Sequence, residues 1–238
     1  MKKIYTWNEI ARDYLKIAKD DKFIHYLDSP KFIDLLGDLS DKSVLDLGCG
    51  NGLLVNKLVK KGIKNYLGVD LSEILIEVAK ANKGSKVDFK VSNLEPSFEF
   101  GKKKYDVVLA KMLLMYIKDV DLFLSNVSNV IKKDGVFAVS ILHPSRPLIN
   151  YSLGKNTEYS KTKYYFADTE STVSFAHKEL RFYYRSLSTY IESFIDAGFS
   201  IVATQEIVPD KKFIEKYPDE KKKLGVPITM HFLLKKMK

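Results

Sequence analysis

Apolar side chains recur every three or four positions across residues 4–27. Ile4, Trp7, Ile10, Ala11, Tyr14, Leu15, Ile17 and Ala18 fall on one face, which predicts a helix that must pack on something. Ser29-Pro30 opens a second helix, with proline in its first turn, running to about Leu39, where Gly37 weakens the end. From residue 43 the pattern changes to short apolar runs separated by amphipathic segments. The runs Ser43–Leu47, Tyr66–Val69, Val87–Val91, Tyr105–Ala110, Gly135–Leu142 and Phe199–Ile207 read as strands. Between them lie helices at about Leu53–Lys61, Ser72–Asn82, Val120–Ile131 and Ser188–Ala197. In the second of these, Ile74, Leu75, Val78 and Ala79 are the inward positions. Strands alternating with helices predict an α/β domain. Residues 144–187 break the alternation with Tyr151, Tyr159, Tyr164, Tyr165, Phe166, Phe175, Phe182, Tyr183 and Tyr184. A connection this long and aromatic reads as a substrate cap rather than a linker. Its Tyr164–Phe166, Val173–Ala176 and Glu179–Arg185 segments suit a small antiparallel addition. The charged excursion Pro209–Leu224 precedes a last strand, Pro227–Leu234.

The first strand runs into glycines, Val44-Leu45-Asp46-Leu47-Gly48-Cys49-Gly50-Asn51-Gly52, and then a helix. Each glycine removes a Cβ that would block a ligand and permits positive φ in the turn. The helix start presents unpaired N–H groups. The third glycine comes one residue too early for Gly-x-Gly-x-x-Gly, and no lysine follows as in a phosphate-binding P-loop. Asp70 closes the next strand, where a carboxylate can accept both hydroxyls of a ribose. Capping of the following helix falls to Ser72, with Glu73 and Glu77 near its positive end. Cys49 reads as a small residue in a crowded turn more readily than as a nucleophile. His143-Pro144 ends the fifth strand, where an imidazole either orients an acceptor or serves structure. Lys111 ends the fourth strand, positioned to touch a ligand or to lie in solvent. Arg185 can clamp a carboxylate or phosphate, or brace the cap.

The loop with Asp46 resembles motif I of class I S-adenosylmethionine-dependent methyltransferases. Asp70-Leu71-Ser72 is similar to the family's motif after strand two, Tyr105–Ala110 to motif II, and Lys133-Asp134-Gly135 to its Lys-Pro-Gly-Gly turn without the proline. His143-Pro144 and Tyr184-Arg185-Ser186-Leu187-Ser188-Thr189-Tyr190 resemble a small-molecule branch of the type 11/12 kind, with Tyr184 and Ser186 replacing its usual histidine and threonine. The resemblance covers roughly residues 40–235. It implies a Rossmann-like, seven-stranded, mostly parallel sheet with an antiparallel terminal strand and helices on both faces. A cap insertion follows strand five, ahead of the next helix. It further implies that Asp46, Gly48, Cys49, Gly50 and Gly52 embrace the amino-acid end of S-adenosylmethionine and that Asp70 holds the ribose. Leu71, Ser92, Asn93 and Leu94 would meet the adenine, with Asn93 where the family has aspartate. Tyr14, in Ile10-Ala11-Arg12-Asp13-Tyr14, would close over the cofactor, with Lys111 beside it. Met115 stands where many relatives have histidine. The implied reaction is methyl transfer to a small molecule under the cap, leaving S-adenosylhomocysteine, with His143, Tyr184 and Arg185 on the substrate side. Alternatives are an RNA or protein methyltransferase, and a non-catalytic binder of the cofactor.

Composition adjusts this picture only slightly. The 238 residues suffice for one domain, 1–238, with residues 1–40 as a helical N-terminal segment, as a monomer or homodimer. A net charge of +9 and Lys221-Lys222-Lys223 permit an RNA partner without requiring one. However, Ala110-Lys111-Met112-Leu113 departs from the Asn-Pro-Pro-Tyr of base-amino methylation. One cysteine and four histidines give no metal-ligand spacing and suit a reducing cytoplasm. Met1–Asn8 lacks the apolar stretch of a signal peptide, and no segment is apolar enough to span a membrane.

Overall fold

A computed structural model describes residues 3–82, 84–95, 98, 104–146 and 168–237. Its elements in chain order are β1 (Ile4–Tyr5), α1 (Trp7–Lys19), α2 (Ser29–Leu35), β2 (Ser43–Leu47), α3 (Val55–Lys60), β3 (Asn65–Asp70), α4 (Glu73–Ala79), β4 (Val87–Val91) and β5 (Tyr105–Lys111). They continue with α5 (Val120–Val130), β6 (Ile131–Leu142), β7 (Thr169–Phe175), β8 (Lys178–Tyr184), α6 (Leu187–Asp196), β9 (Phe199–Ile207), α7 (Lys211–Lys216) and β10 (Thr229–Lys236). A seven-stranded sheet runs β4-β3-β2-β5-β6-β10-β9. Its first five strands are parallel, and β10 lies antiparallel between β6 and β9. This is the architecture the strand pattern and the family resemblance imply. The central strand β2 is buried along its whole length, as an apolar run with helices on both sides requires.

One face carries α5 and α6 through Phe123, Leu124, Val127, Tyr190 and Phe194. The other carries α2, α3 and α4 through Phe32, Ile33, Val55, Leu58, Ile76 and Ala79. In α4 the inward side chains are Leu75, Ile76 and Ala79, while Val78, expected inside, is 40% exposed. Beyond Ala79 the segment tightens into a 3-10 turn at Lys80–Asn82. The expected turn at Lys133-Asp134-Gly135 lies within an irregular stretch of β6: Ile131 pairs with Tyr105 and Val136 with Val107, so the intervening residues bulge out.

The N-terminal segment departs furthest from the helix expected over 4–27. Thr6 caps α1 in a box with Glu9, which ends the helical run before Ile4 and Tyr5. A short π-helical turn, Ile24–Asp28, then leads into α2, which ends near Leu36 rather than Leu39. The freed Ile4 and Tyr5 pair in parallel with Glu179 and Leu180 of β8, forming a second sheet of order β1-β8-β7. The hairpin of β7 and β8 is the antiparallel addition expected of the cap, turning at Ala176 and His177 with positive φ. Tyr151, Tyr159, Tyr164, Tyr165 and Phe166 lie outside the described residues.

Candidate functional site

At the C-terminal end of β2 the chain turns through Gly48, Gly50 and Gly52, with φ of +69°, +56° and +74°. A Cβ added at Gly48 would lie 2.9 Å from Leu113 Cδ1, so Leu113 would have to shift. The Gly48 and Cys49 amides donate to the Val69 carbonyl at 2.8 and 3.0 Å, pinning the loop to β3. Asp70, 9% exposed, finishes that strand. Its Oδ2 accepts the Gly50 N–H and its Oδ1 the Ser72 N–H, each at 2.9 Å. Burial raises the Asp70 pKa against these donors. A carboxylate has about four lone-pair sites, so the loop leaves Asp70 with capacity for a further donor. Ser72 caps α4 by accepting from the Leu75 N–H, as expected, and also bonds Asn8 of α1 at 3.0 Å. Cys49 is buried, and burial pushes its thiol well above the ordinary value, with Asp46 and Asp70 adding to the effect. That environment suits the filler of a crowded turn, not a nucleophile.

Asp46 lies beneath the loop, 2% exposed, accepting the Tyr66 hydroxyl at 2.7 Å. Burial pushes its carboxyl up to about 7, opposed by Tyr66 and Lys111 and reinforced by Asp70. Lys111 is not solvated. Its side chain is 11% exposed, and the ammonium pairs with Asp28 Oδ2 in the turn before α2. Asp28 Oδ1 accepts from the Thr229 hydroxyl and, at 2.9 Å, from His231 Nε2. Burial alone would raise the Asp28 pKa; Lys111 and His231 outweigh it and hold the carboxyl well below the usual range. Lys111, Ser140, His231 and Gln205 are successive partners across β5, β6, β10 and β9, a polar row on one sheet face.

Of the residues expected to meet adenine, Leu71 is 48% exposed beside Asp70, while Leu94 is buried in the core. Ser92 continues the β3–β4 pairing by donating its N–H to the Asp70 carbonyl at 2.9 Å. Asn93 is exposed, and its Oδ1 accepts the Glu95 N–H at 3.0 Å, so the acceptor assigned to adenine also closes a local turn. Tyr14 is half-buried on α1, its hydroxyl raised to about 12 by burial and by Asp70.

The two halves of the His-Pro and Tyr-Arg-Ser-Leu-Ser phrases meet in space. The Tyr184 hydroxyl donates to the Pro144 carbonyl at 2.6 Å. His143 has both ring nitrogens engaged: Nδ1 accepts from the Ser145 N–H at 3.2 Å and lies 2.7 Å from its hydroxyl, which leaves Nε2 as donor to Glu206 at 2.9 Å. Arg185 is buried, donating to the carbonyls of Leu114 at 3.2 Å, Ile117 at 2.8 Å and Lys118 at 2.7 Å. Of the two readings of Arg185, this geometry is that of a brace holding the turn after β5. Ser186, not Ser188, caps α6. Met115 is buried in the core.

Sequence reasoning missed Asp28, Thr229 and His231; the alternation of Thr229 and His231 in an otherwise apolar strand was the available signal. It also missed Met112, whose φ of +56° directly after β5 has no signature in a side chain other than glycine. Among the described residues no group of His, Cys, Asp and Glu is placed to hold a metal ion, and no helix is long and apolar enough to cross a membrane.

The methyltransferase-domain family model matches residues 38–192. A ubiquinone biosynthesis O-methyltransferase of Pelagibacter ubique is 35% identical over 147 residues, 60% of this chain and 56% of that protein. The enzyme of the same name from Brucella anthropi is 33% identical over 153 residues, 63% of this chain and 58% of that protein. The chain thus spans little more than half the length of these curated relatives. A crystal structure from Listeria monocytogenes, described as an S-adenosylmethionine-dependent methyltransferase, superposes with a TM-score of 0.73 at 26% identity, covering 89% of this chain and 99% of that one. One from Mesorhizobium loti reaches 0.75 at 21% identity over 87% and 96%, a likeness of fold. With the family model running from before β2 into α6, across the five parallel strands, and the glycine loop and Asp70 set at their ends, the chain belongs to the methyltransferase-domain family.

Proposed function

We propose that the chain is an S-adenosylmethionine-dependent methyltransferase that methylates a small molecule beneath the lid formed by α1 and the β7–β8 hairpin. The observation that carries this reading is the loop of Gly48, Gly50 and Gly52, all at positive φ and tied to the Asp70 carboxylate through the Gly50 N–H. These residues fit the cofactor: the loop lets backbone approach its amino-acid end, Asp70 retains acceptor capacity for the ribose, and exposed Leu71 offers an apolar surface to adenine. The name shared by the curated relatives favours a small acceptor over RNA or protein. We place the enzyme in the cytoplasm, a reading supported by a single, buried cysteine.

When bound, S-adenosylmethionine supplies a methyl group already activated by its sulfonium. The protein's part is to align an acceptor lone pair with that carbon and to exclude water. Tyr14 and Trp7 on α1 provide the covering surface, and the brace of Arg185 fixes the turn that carries Leu113 against Gly48. His143, with both nitrogens engaged, orients the strand end through Ser145 and Glu206.

Purified chain given labelled S-adenosylmethionine and a cell extract should label the small-molecule fraction. Label confined to RNA or protein would overturn the acceptor assignment, and tight cofactor binding with no label anywhere would overturn catalysis. Asp70→Ala should weaken cofactor binding by calorimetry by roughly 1.5–3 kcal/mol; unchanged affinity would refute the ribose role.

A further inference from the structure

A serine, a histidine and a glutamate line up at the end of β6, with β5 between them and the strand that carries the glycine loop. Because β10 runs antiparallel to both β6 and β9, those two strands point the same way. His143, just past the end of β6, and Glu206, next to last in β9, therefore sit on one edge of the sheet. His143 Nε2 lies 2.9 Å from Glu206 Oε1, and Nδ1 lies 2.7 Å from Ser145 Oγ. The backbone fixes where the proton sits. The Ser145 N–H donates to Nδ1 at 3.2 Å, so Nδ1 is the unprotonated nitrogen. The Ser145 hydroxyl must then donate to Nδ1, while Nε2–H donates to the Glu206 carboxylate. This is the resting tautomer of a hydroxyl, base and acid acting in series.

The surroundings hold that series in place. The His143 N–H donates to the Ile228 carbonyl and the Arg146 N–H to the His143 carbonyl, each at 2.9 Å. The Tyr184 hydroxyl ties down Pro144 between them. A local turn accounts for the contact of Ser145 with His143. It does not account for Glu206, which comes 63 residues after His143 and, with its side chain 60% exposed, is still held on the second imidazole nitrogen. The imidazole side chain is only 10% exposed, and half-buried Ser145 stands in front of it. Among the described residues Ser145 Oγ has no second partner.

We propose that Ser145 is an activated nucleophile, with His143 as its base and Glu206 as the group that orients His143, and that it takes neutral acyl or phosphoryl esters carrying a good leaving group. Ser145 Oγ attacks the acyl carbon or the phosphorus, and the new bond to oxygen forms. The bond to the leaving group breaks, and the leaving group departs with the electron pair. The hydroxyl proton passes to His143 Nδ1, and the imidazolium is held by the Glu206 carboxylate. The N–H groups of Ser145 and Arg146 are both engaged on His143, so neither serves as an oxyanion donor. Hydrolytic turnover draws on such donors twice, to form the serine ester and to release it. The chemistry is therefore one covalent transfer onto Ser145, a modification site separate from methyl transfer and independent of the methyl-donor reading.

The test treats the whole chain with diisopropyl fluorophosphate and maps the adduct by peptide mass spectrometry. The adduct should fall on Ser145, with fluoride released in equal amount, and Ser145→Ala should lose it. His143→Gln should slow labelling about 100-fold. Glu206 is exposed, so Glu206→Gln leaves the core intact; it should slow labelling only about tenfold, since solvent screens its carboxylate. Urea denaturation of each variant separates loss of the relay from loss of the fold. No label on Ser145, label spread over several serines at similar rates, or a Ser145 rate unchanged in folded His143→Gln and Glu206→Gln each overturns the proposal.

Discussion

Asp46→Asn should make the protein more stable at neutral and alkaline pH while weakening its cofactor site. In the folded chain the Asp46 carboxyl is raised from 3.8 to about 7, chiefly by burial. A folded pKa above the unfolded one favours the protonated acid. The stability it contributes is fully present below the unfolded value and is lost as pH rises toward about 7. The shift corresponds to about 4 kcal/mol between the two ends of that window. Asparagine is close to isosteric and does not titrate, so it escapes this loss. It returns about 1 kcal/mol because the Tyr66 hydroxyl, 2.7 Å away, exchanges a carboxylate for an amide oxygen. Urea denaturation of both chains from about pH 5 to about pH 8 should show the variant's advantage growing by about 2–3 kcal/mol. The same carboxyl predicts proton release on binding. A ligand ammonium above the loop favours the ionised acid, so native affinity for S-adenosylhomocysteine should rise with pH below about 7, and the variant's should be flat and weaker. A stability difference that does not change with pH would refute the buried-acid argument.

Two further perturbations address the residues whose roles the structure redefines. Lys111→Met strips the countercharge from buried Asp28 and should cost about 3–5 kcal/mol by urea denaturation, with the double variant Lys111→Met/Asp28→Asn recovering most of it. A single variant as stable as the native chain would mean that His231 and Thr229 suffice. Arg185→Ala leaves the carbonyls of Leu114, Ile117 and Lys118 without their donor and should lower stability by roughly 3 kcal/mol or more, with cofactor and acceptor affinity falling together. A raised acceptor KM at unchanged stability would restore the substrate clamp.

The centre of the sheet was legible because β2 and β5 are buried on both faces along most of their length, and such strands announce themselves as apolar runs. The largely exposed outer strands β4 and β9 match their expected bounds through alternation instead, and the Gly-x-Gly-x-Gly turn marks where β2 ends. Capping was partly legible: Ser72 is where the sequence puts it, but Ser186 displaces Ser188 because Asp168, distant in sequence, accepts the Ser186 N–H and the Thr189 hydroxyl. The fates of Lys111, Arg185 and His143 were illegible for the same reason. Each is a polar residue whose partner, Asp28, Ile117 or Glu206, comes from a stretch that only the tertiary fold brings near. A charged residue at a strand end reads alike whether it meets a ligand or a buried countercharge. The pairing of Ile4-Tyr5 with β8 was hidden by helical periodicity, which extends into those residues although the Thr6–Glu9 box stops the helix.

That hidden pairing determines how the site can open. The lid helix α1 is held at both ends, by β1 on β8 and by Asp28 on Lys111, His231 and Thr229. The anchors differ in strength. The first is a two-residue pairing with exposed Ile4, helped by the half-exposed Lys178–Asp13 pair, and surface ion pairs contribute about 0–1 kcal/mol. The second is a buried network whose rupture strands a charge at several times that cost. If α1 opens, the weaker β1 end should release before the Asp28 end. Either α1 leaves the hairpin, uncovering the face of Trp7 that meets Phe175, or α1 and the hairpin rise as one and lose the Asn8–Ser72 bond beside Asp70. Either movement should expose the Asp70 end of the loop first, with the Lys111 end staying fixed.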